Sequence, residues 1–211
     1  MLNDSTQAGR DRLRDLKDFT RGAGEIIANE RQRFDALNTE TAKPVVVSSF
    51  NLFPTPPEIA AKMVDMAYID ENHRVLEPSA GTGNLLKAIG NKPDKLAVEI
   101  SADCVRVLMC GGAGSGCEII HADFLGCTEV MLGKFDRVVM NPPFKQGRDI
   151  KHIKHAATFL KPGGRLVALC ANGPRQRDQL KPIASTWQLL PEGSFRGEGT
   201  GVSVALMTID R

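Results

Sequence analysis

The sequence predicts an α/β fold: a seven-stranded, mostly parallel sheet with helices on both faces and a C-terminal antiparallel hairpin. Three observations carry that expectation. Five apolar runs of strand length follow one another from Arg74 onward, helical stretches separate most of them, and the last two strand-like segments have no helix between them. Alternating strand and helix patterns place parallel strands under helical layers. Consecutive strands without a crossover pair antiparallel. A chain of 211 residues, 42% of them hydrophobic, suits one ordinary domain.

Residues 1–43 are expected to be an N-terminal helical extension, charged throughout, with thin apolar spacing at Leu13, Leu16, Ile26, Ile27, Phe34 and Leu37. Residues 44–211 are expected to form the main domain. Pro44, Pro54, Pro56 and Pro57 mark a rigid extended entry. Pro56 and Pro57 suit the first turn of a helix, and Thr55 is placed to cap it. Ile59, Ala60, Met63, Val64 and Ala67 then recur with the spacing of a core-facing helical side. Strands are expected at 74–78, 95–100, 117–122, 135–140 and 164–170, and helices at 83–90, 101–110 and 148–160. STWQLLPEGSF and VSVALMTID, linked by RGEGTG, supply the hairpin.

Composition excludes several classes. No run of eighteen apolar residues crosses a membrane, and the first nineteen residues lack the apolar core of a secretory signal. Five cysteines without a C-x-x-C pair fit neither a disulfide framework nor a zinc site. Reduced thiols, a cytoplasmic setting and no metal are expected. Net charge is +2, but residues 141–211 hold eleven Lys and Arg against five Asp and Glu. That asymmetry predicts one face that meets phosphates, so a nucleic acid is the expected partner.

Four strand ends hold the chemistry, because ligands of open parallel sheets lie past the carboxyl ends of the strands. Glu77-Pro78-Ser79-Ala80-Gly81-Thr82-Gly83-Asn84 follows a strand and opens a helix, and Gly81 and Gly83 permit a tight turn and close approach to a ligand. Neither a Gly-Lys-Ser/Thr phosphate loop nor a full G-x-G-x-x-G is present, since Leu86 stands where the third glycine belongs. Glu99 is placed to accept from ribose hydroxyls. Asp123 and Phe124 are placed to accept from an adenine amine and to pack on its ring. Together these describe a nucleoside pocket without a phosphate grip. The fourth end, Asn141-Pro142-Pro143-Phe144, is the most specific. The amide oxygen of Asn141 and the carbonyl of Pro142 can accept both hydrogens of one planar –NH2, aiming its lone pair at an electrophile while Phe144 stacks on the ring.

With these residues in place the sequence resembles class I S-adenosyl-L-methionine-dependent methyltransferases, whose fold is Rossmann-like, and among them the gamma-type adenine-N6 DNA methyltransferases. FNLFPTPPEIAAKMV, LEPSAGTGNLL, VEIS, HADF, VVMNPPF, FLKPGGRLVAL and the final hairpin follow that family's order over residues 50 to about 209. The resemblance implies that Thr55, Glu77, Pro78, Ser79, Gly81, Gly83, Glu99, Ile100, Asp123, Phe124 and Asn141 hold the cofactor. It implies that Asn141, Pro142, Pro143 and Phe144 carry the transfer, and that Phe195 supplies a second aromatic against a flipped base. Lys145 and Arg148, beside the amine motif, are expected to meet the substrate.

Two departures bear on the substrate. The chain carries nothing that resembles a target-recognition domain, so a short stand-alone form is expected, with little sequence preference or with recognition borrowed from a partner protein. Phe144 stands where the family more often has Tyr, which keeps RNA open, at adenine N6 or guanine N2. A protein glutamine methyltransferase and a non-catalytic cofactor-binding subunit are the remaining rivals. His152 and His155 share a helical face, but no carboxylate or thiol stands at ligand spacing, so a metal is not expected.

Overall fold

The computed structural model describes residues 53–195 and 202–211. The expected N-terminal extension and the RGEGTG link lie outside the described residues.

The chain enters through α1 (Pro57–Ala67), whose Ile59, Ala60, Met63 and Ala67 are buried. Then follow β1 (Arg74–Glu77), α2 (Asn84–Ile89), β2 (Asp94–Glu99), α3 (Ala102–Cys110) and β3 (Cys117–His121). A short α4 (Glu129–Leu132), β4 (Phe135–Met140), α5 (Arg148–Thr158), β5 (Leu160–Ala171), α6 (Pro174–Leu180), β6 (Thr186–Leu189) and β7 (Val204–Asp210) complete it. One seven-stranded sheet results, in the order β3-β2-β1-β4-β5-β7-β6. The first five strands are parallel, and β7 runs antiparallel to both β5 and β6.

Side-chain alternation along each strand divides the core into two layers. Leu76, Val98, Val138, Met140, Leu166, Ala168, Ala205 and Met207 face α5 and the 124–132 segment. Val75, Val139, Val167, Leu169, Val204 and Leu206 face α1 and α2, and Ala97 packs on the α2–α3 side with Leu86 and Leu108. Helices therefore cover both faces. Burial also explains the strand order. Residues 204–208 of β7 are buried on both faces, whereas β6 is mostly exposed. The apolar strand takes the interior place and the polar one the edge.

Three local expectations are corrected. Thr55 does not cap α1: the N-cap is Pro56, and no side chain bonds to the first turn. β5 begins at Leu160, earlier than the pattern implied, because Lys161-Pro162-Gly163-Gly164 passes through an irregularity in the β4–β5 register with Gly163 at φ 76°. β6 ends at Leu189, since Pro191 starts a turn closed by the Ser194 N–H donating to Pro191 O at 3.2 Å.

Candidate cofactor and amine site

A cavity of about 320 Å³ opens past the carboxyl ends of β1, β2, β3 and β4. Its walls are the 53–55 segment, the loop after β1, residues 99–101, residues 122–124, the turn 141–144, and Arg148 and His152 of α5. Every expected site residue except Gly83, Lys145 and Phe195 lies on this wall.

The loop after β1 is held by the strand beside it. Glu99, mostly buried, accepts from the Gly81 N–H through Oε2 and from the Ser101 N–H through Oε1, both at 2.7 Å. Each carboxylate oxygen keeps a further lone pair for a ligand hydroxyl. Gly81 turns at φ 53°, a conformation that favours glycine. Gly83 serves packing instead of ligand approach. At φ 84°, an added Cβ would lie 2.7 Å from Ala113 Cβ and from Leu108 Cδ2.

Glu77 ends β1 inside the cavity wall, 2% exposed, with Oε2 buried and lacking a hydrogen-bond partner. Burial pushes its pKa well above the carboxylate range, and Glu99 adds to the rise; the Leu86 N–H and Lys95 oppose it. Glu77 thus stands on the wall as the acid that burial favours in its neutral form, while the site's other acid, Glu99, is tied to two amides. Ile100 is 60% exposed beside the cavity, an open apolar surface for a flat ring. Asp123 accepts from the Leu125 N–H at 3.1 Å through Oδ1 and caps the 3-10 turn Phe124–Gly126. Phe124 is almost fully buried and forms floor, not rim.

The turn after β4 is tied to the chain entry. Asn141 Nδ2 donates to Phe53 O at 2.9 Å and to Thr55 Oγ1 at 3.1 Å, and Asn84 Nδ2 donates to Thr55 O at 2.9 Å. Phe53 O can only accept, so the Asn141 amide is oriented without ambiguity: nitrogen toward the 53–55 segment, oxygen away from it. Among the described residues no hydrogen bond reaches Asn141 Oδ1 or Pro142 O. The side chain of Asn141 therefore holds the entry segment and presents a spare acceptor at once. Half-buried Phe144 follows on the same wall.

Two expected substrate residues stand elsewhere. Phe195 is 2% exposed and packs with Ile59, Met63, Leu190 and Leu206 in the α1-side core, because the Pro191 turn folds the chain back beneath the sheet edge. Lys145 is exposed and off the cavity wall, whereas Arg148 lies on it. Asn84 and His152, to which the sequence assigns no site role, also line the cavity. His152 is 4% exposed, with neither ring nitrogen bonded. Burial above all, with the Arg148 charge, pulls its pKa down to about 4 while Asp123 opposes. Its spacing of four from Arg148 puts both on one helical side, a signal available in the sequence. His155 is engaged elsewhere, with Nε2 3.0 Å from Cys127 O and its ring edge-on to Phe124.

The model of the methyltransferase small domain family matches residues 59–193. No curated protein sequence matches the chain. Solved structures share the fold. TrmN from Thermus thermophilus aligns with a TM-score of 0.59 at 20% identity, over 74% of this chain and 48% of that one. The M protein of the type I restriction enzyme EcoKI gives 0.62 at 18% identity, over 78% and 45%. The 16S rRNA N2 methyltransferase RsmC of Thermus thermophilus, in complex with AdoMet and guanosine, gives 0.55 at 17% identity, over 78% and 45%. The chain thus spans about half the length of each of these three. The shared architecture is that of S-adenosylmethionine-dependent methyltransferases, and with the family model covering most of its length, the chain belongs to the methyltransferase small domain family.

Proposed function

We propose that the chain transfers a methyl group from S-adenosylmethionine to the exocyclic amine of a nucleic-acid base, adenine N6 in DNA. One observation carries the reading. Asn141 spends both amide hydrogens on Phe53 O and Thr55 Oγ1, which leaves its Oδ1 without a hydrogen bond among the described residues, as Pro142 O also is, and both residues line the cavity. A planar amine that donates to both has its lone pair turned out of the ring plane.

The residues present fit the cofactor. Glu99 suits the ribose hydroxyls, Asp123 the adenine amine, Ile100 the ring face, and the 77–81 loop with Thr55 the methionine portion. When bound, the sulfonium supplies an electrophilic methyl group. Asn141 and Pro142 orient the amine and stabilise the positive charge that develops on nitrogen, worth about 100- to 1000-fold in rate for a pre-oriented acceptor or donor of this kind. Phe144 stacks on the base, which must leave its helix to arrive. Exposed Arg148, Lys151, Lys154, Arg175, Arg177 and Lys181 lie on α5, α6 and the turn after it, leading away from the cavity. Such a surface suits a phosphate backbone. The fold neighbours include a DNA restriction-system protein and an rRNA methyltransferase, so RNA is the second reading, favoured by Phe144 in place of Tyr.

The test is labelled S-adenosylmethionine with duplex DNA, rRNA or protein extract, followed by digestion and mass spectrometry. The reading predicts N6-methyldeoxyadenosine. Label only in RNA or protein would replace the substrate, and no turnover with bound cofactor would make the chain a non-catalytic subunit.

A further inference from the structure

His152 is the largest anomaly of the cavity. It is buried, it lies on the wall, and both its nitrogens lack partners among the described residues. An imidazole withdrawn from water without hydrogen bonds is a cost the fold gains nothing from. Packing does not explain it. The ring lies 6.0 Å from that of Phe124, tilted by 42°, in a cluster that Phe159 and His155 already extend. A phenylalanine at this position would fill the space and carry no unpaired nitrogen. Buried polar groups that persist unpaired mark the place of something that pairs with them.

Its position says what that is. α5 runs from Arg148, close in sequence to the amine turn, to His152 one helical turn on, where the His152 ring lies 6.0 Å from that of Phe124, the residue after Asp123. Asp123, as a carboxylate, only accepts. A neutral imidazole adds one side-chain N–H donor. Adenine presents that complement: an amine that donates, flanked by ring nitrogens that accept. Neutrality matters as well, because an imidazolium here would repel a cationic ligand, and burial keeps the ring uncharged near neutral pH.

We infer that His152 is a specificity residue of the cofactor site, donating one ring N–H to a ring nitrogen of the adenine moiety while Asp123 accepts from the amine. The inference rests on the proposed use of the cavity for S-adenosylmethionine.

The experiment measures binding of S-adenosylhomocysteine and of its 1-deaza, 3-deaza and 7-deaza adenine analogues by calorimetry. The native chain is compared with His152→Phe and His152→Leu, with thermal melts to show that each variant is folded. In the native protein, one of the three analogues binds about 3- to 10-fold more weakly than the parent, the loss of one hydrogen bond. In the folded variants the parent is weakened by the same factor, and that analogue suffers no further penalty. Equal penalties in native and variant proteins, or no penalty for any analogue in the native protein, would overturn the assignment. If neither variant folds, His152→Ala takes their place in the same comparison. Failure of the native chain to take up S-adenosylhomocysteine at all would overturn the methyltransferase reading, and this inference with it; uptake with no deaza effect overturns this inference alone.

Discussion

Replacing Asn141 with Ala removes two things that the structure separates. The first is the tie to the entry segment, two hydrogen bonds to Phe53 O and Thr55 Oγ1. At about 0.5–1.5 kcal/mol each, their loss frees the 53–55 wall by roughly 1–3 kcal/mol. The second is the acceptor Oδ1, whose loss falls on the transition state and costs about 3–4 kcal/mol, a 100- to 1000-fold drop in kcat. Asn84→Ala separates the two effects, because Asn84 holds the same segment through Thr55 O and contributes nothing to the amine. The expected pattern, read from calorimetric cofactor affinity and methyl transfer at saturating cofactor, has two parts. Asn84→Ala weakens affinity about 3- to 10-fold with kcat within twofold, whereas Asn141→Ala weakens affinity at least as much and lowers kcat at least 100-fold. If kcat falls equally in both variants, Asn141 acts only by holding the wall, and the acceptor argument is refuted.

Three further outcomes follow from burial and backbone geometry. The folded pKa of His152, about 4, lies below the ordinary 6.5; the unfolded chain therefore binds its proton first, and stability falls as pH drops through that window. The loss is about 3 kcal/mol at most, and urea melts at pH 7 and pH 4.5 should show a smaller decline for His152→Phe than for the native chain. Glu77 behaves oppositely, since its raised pKa means that the unfolded chain ionises first above pH 4.5. Its contribution is lost as pH rises toward the folded value, so Glu77→Gln should gain stability relative to the native protein between pH 5 and 8, and a constant difference would show that Glu77 is already ionised when folded. Gly83→Ala forces a Cβ into Leu108 and Ala113 at positive φ, which should cost about 1–3 kcal/mol in a chemical melt; an unchanged midpoint would mean that the loop relaxes freely.

Much of this was legible because it is local. A strand, two spaced glycines and a helix, or a strand followed by Asn-Pro-Pro-Phe, are read from short consecutive stretches, and both stretches, Gly83 apart, line the cavity. What escaped depends on contacts distant in sequence. The Asn141 bonds span 86 and 88 residues, and nothing in the chain order announces them. Phe195 carried a stacking role only through the family resemblance of the last hairpin, but Pro191 ends β6 early and the ring falls into the core. His152 was readable only as one of two histidines on a helix, since its missing partners emerge from how α5 lies against residues 123–124. Leu160 looked like the end of a helix because Lys-Pro-Gly-Gly reads as a turn, whereas β4 pairs with it through an irregular register.

The most direct test of the central claim is a crystal structure of the chain with S-adenosylhomocysteine. The account predicts the ribose on Glu99, the adenine between Ile100 and His152, and the sulfur directed at the Asn141–Phe144 turn. A ligand bound outside this cavity, or one whose sulfur points away from Asn141 Oδ1 and Pro142 O, would contradict it.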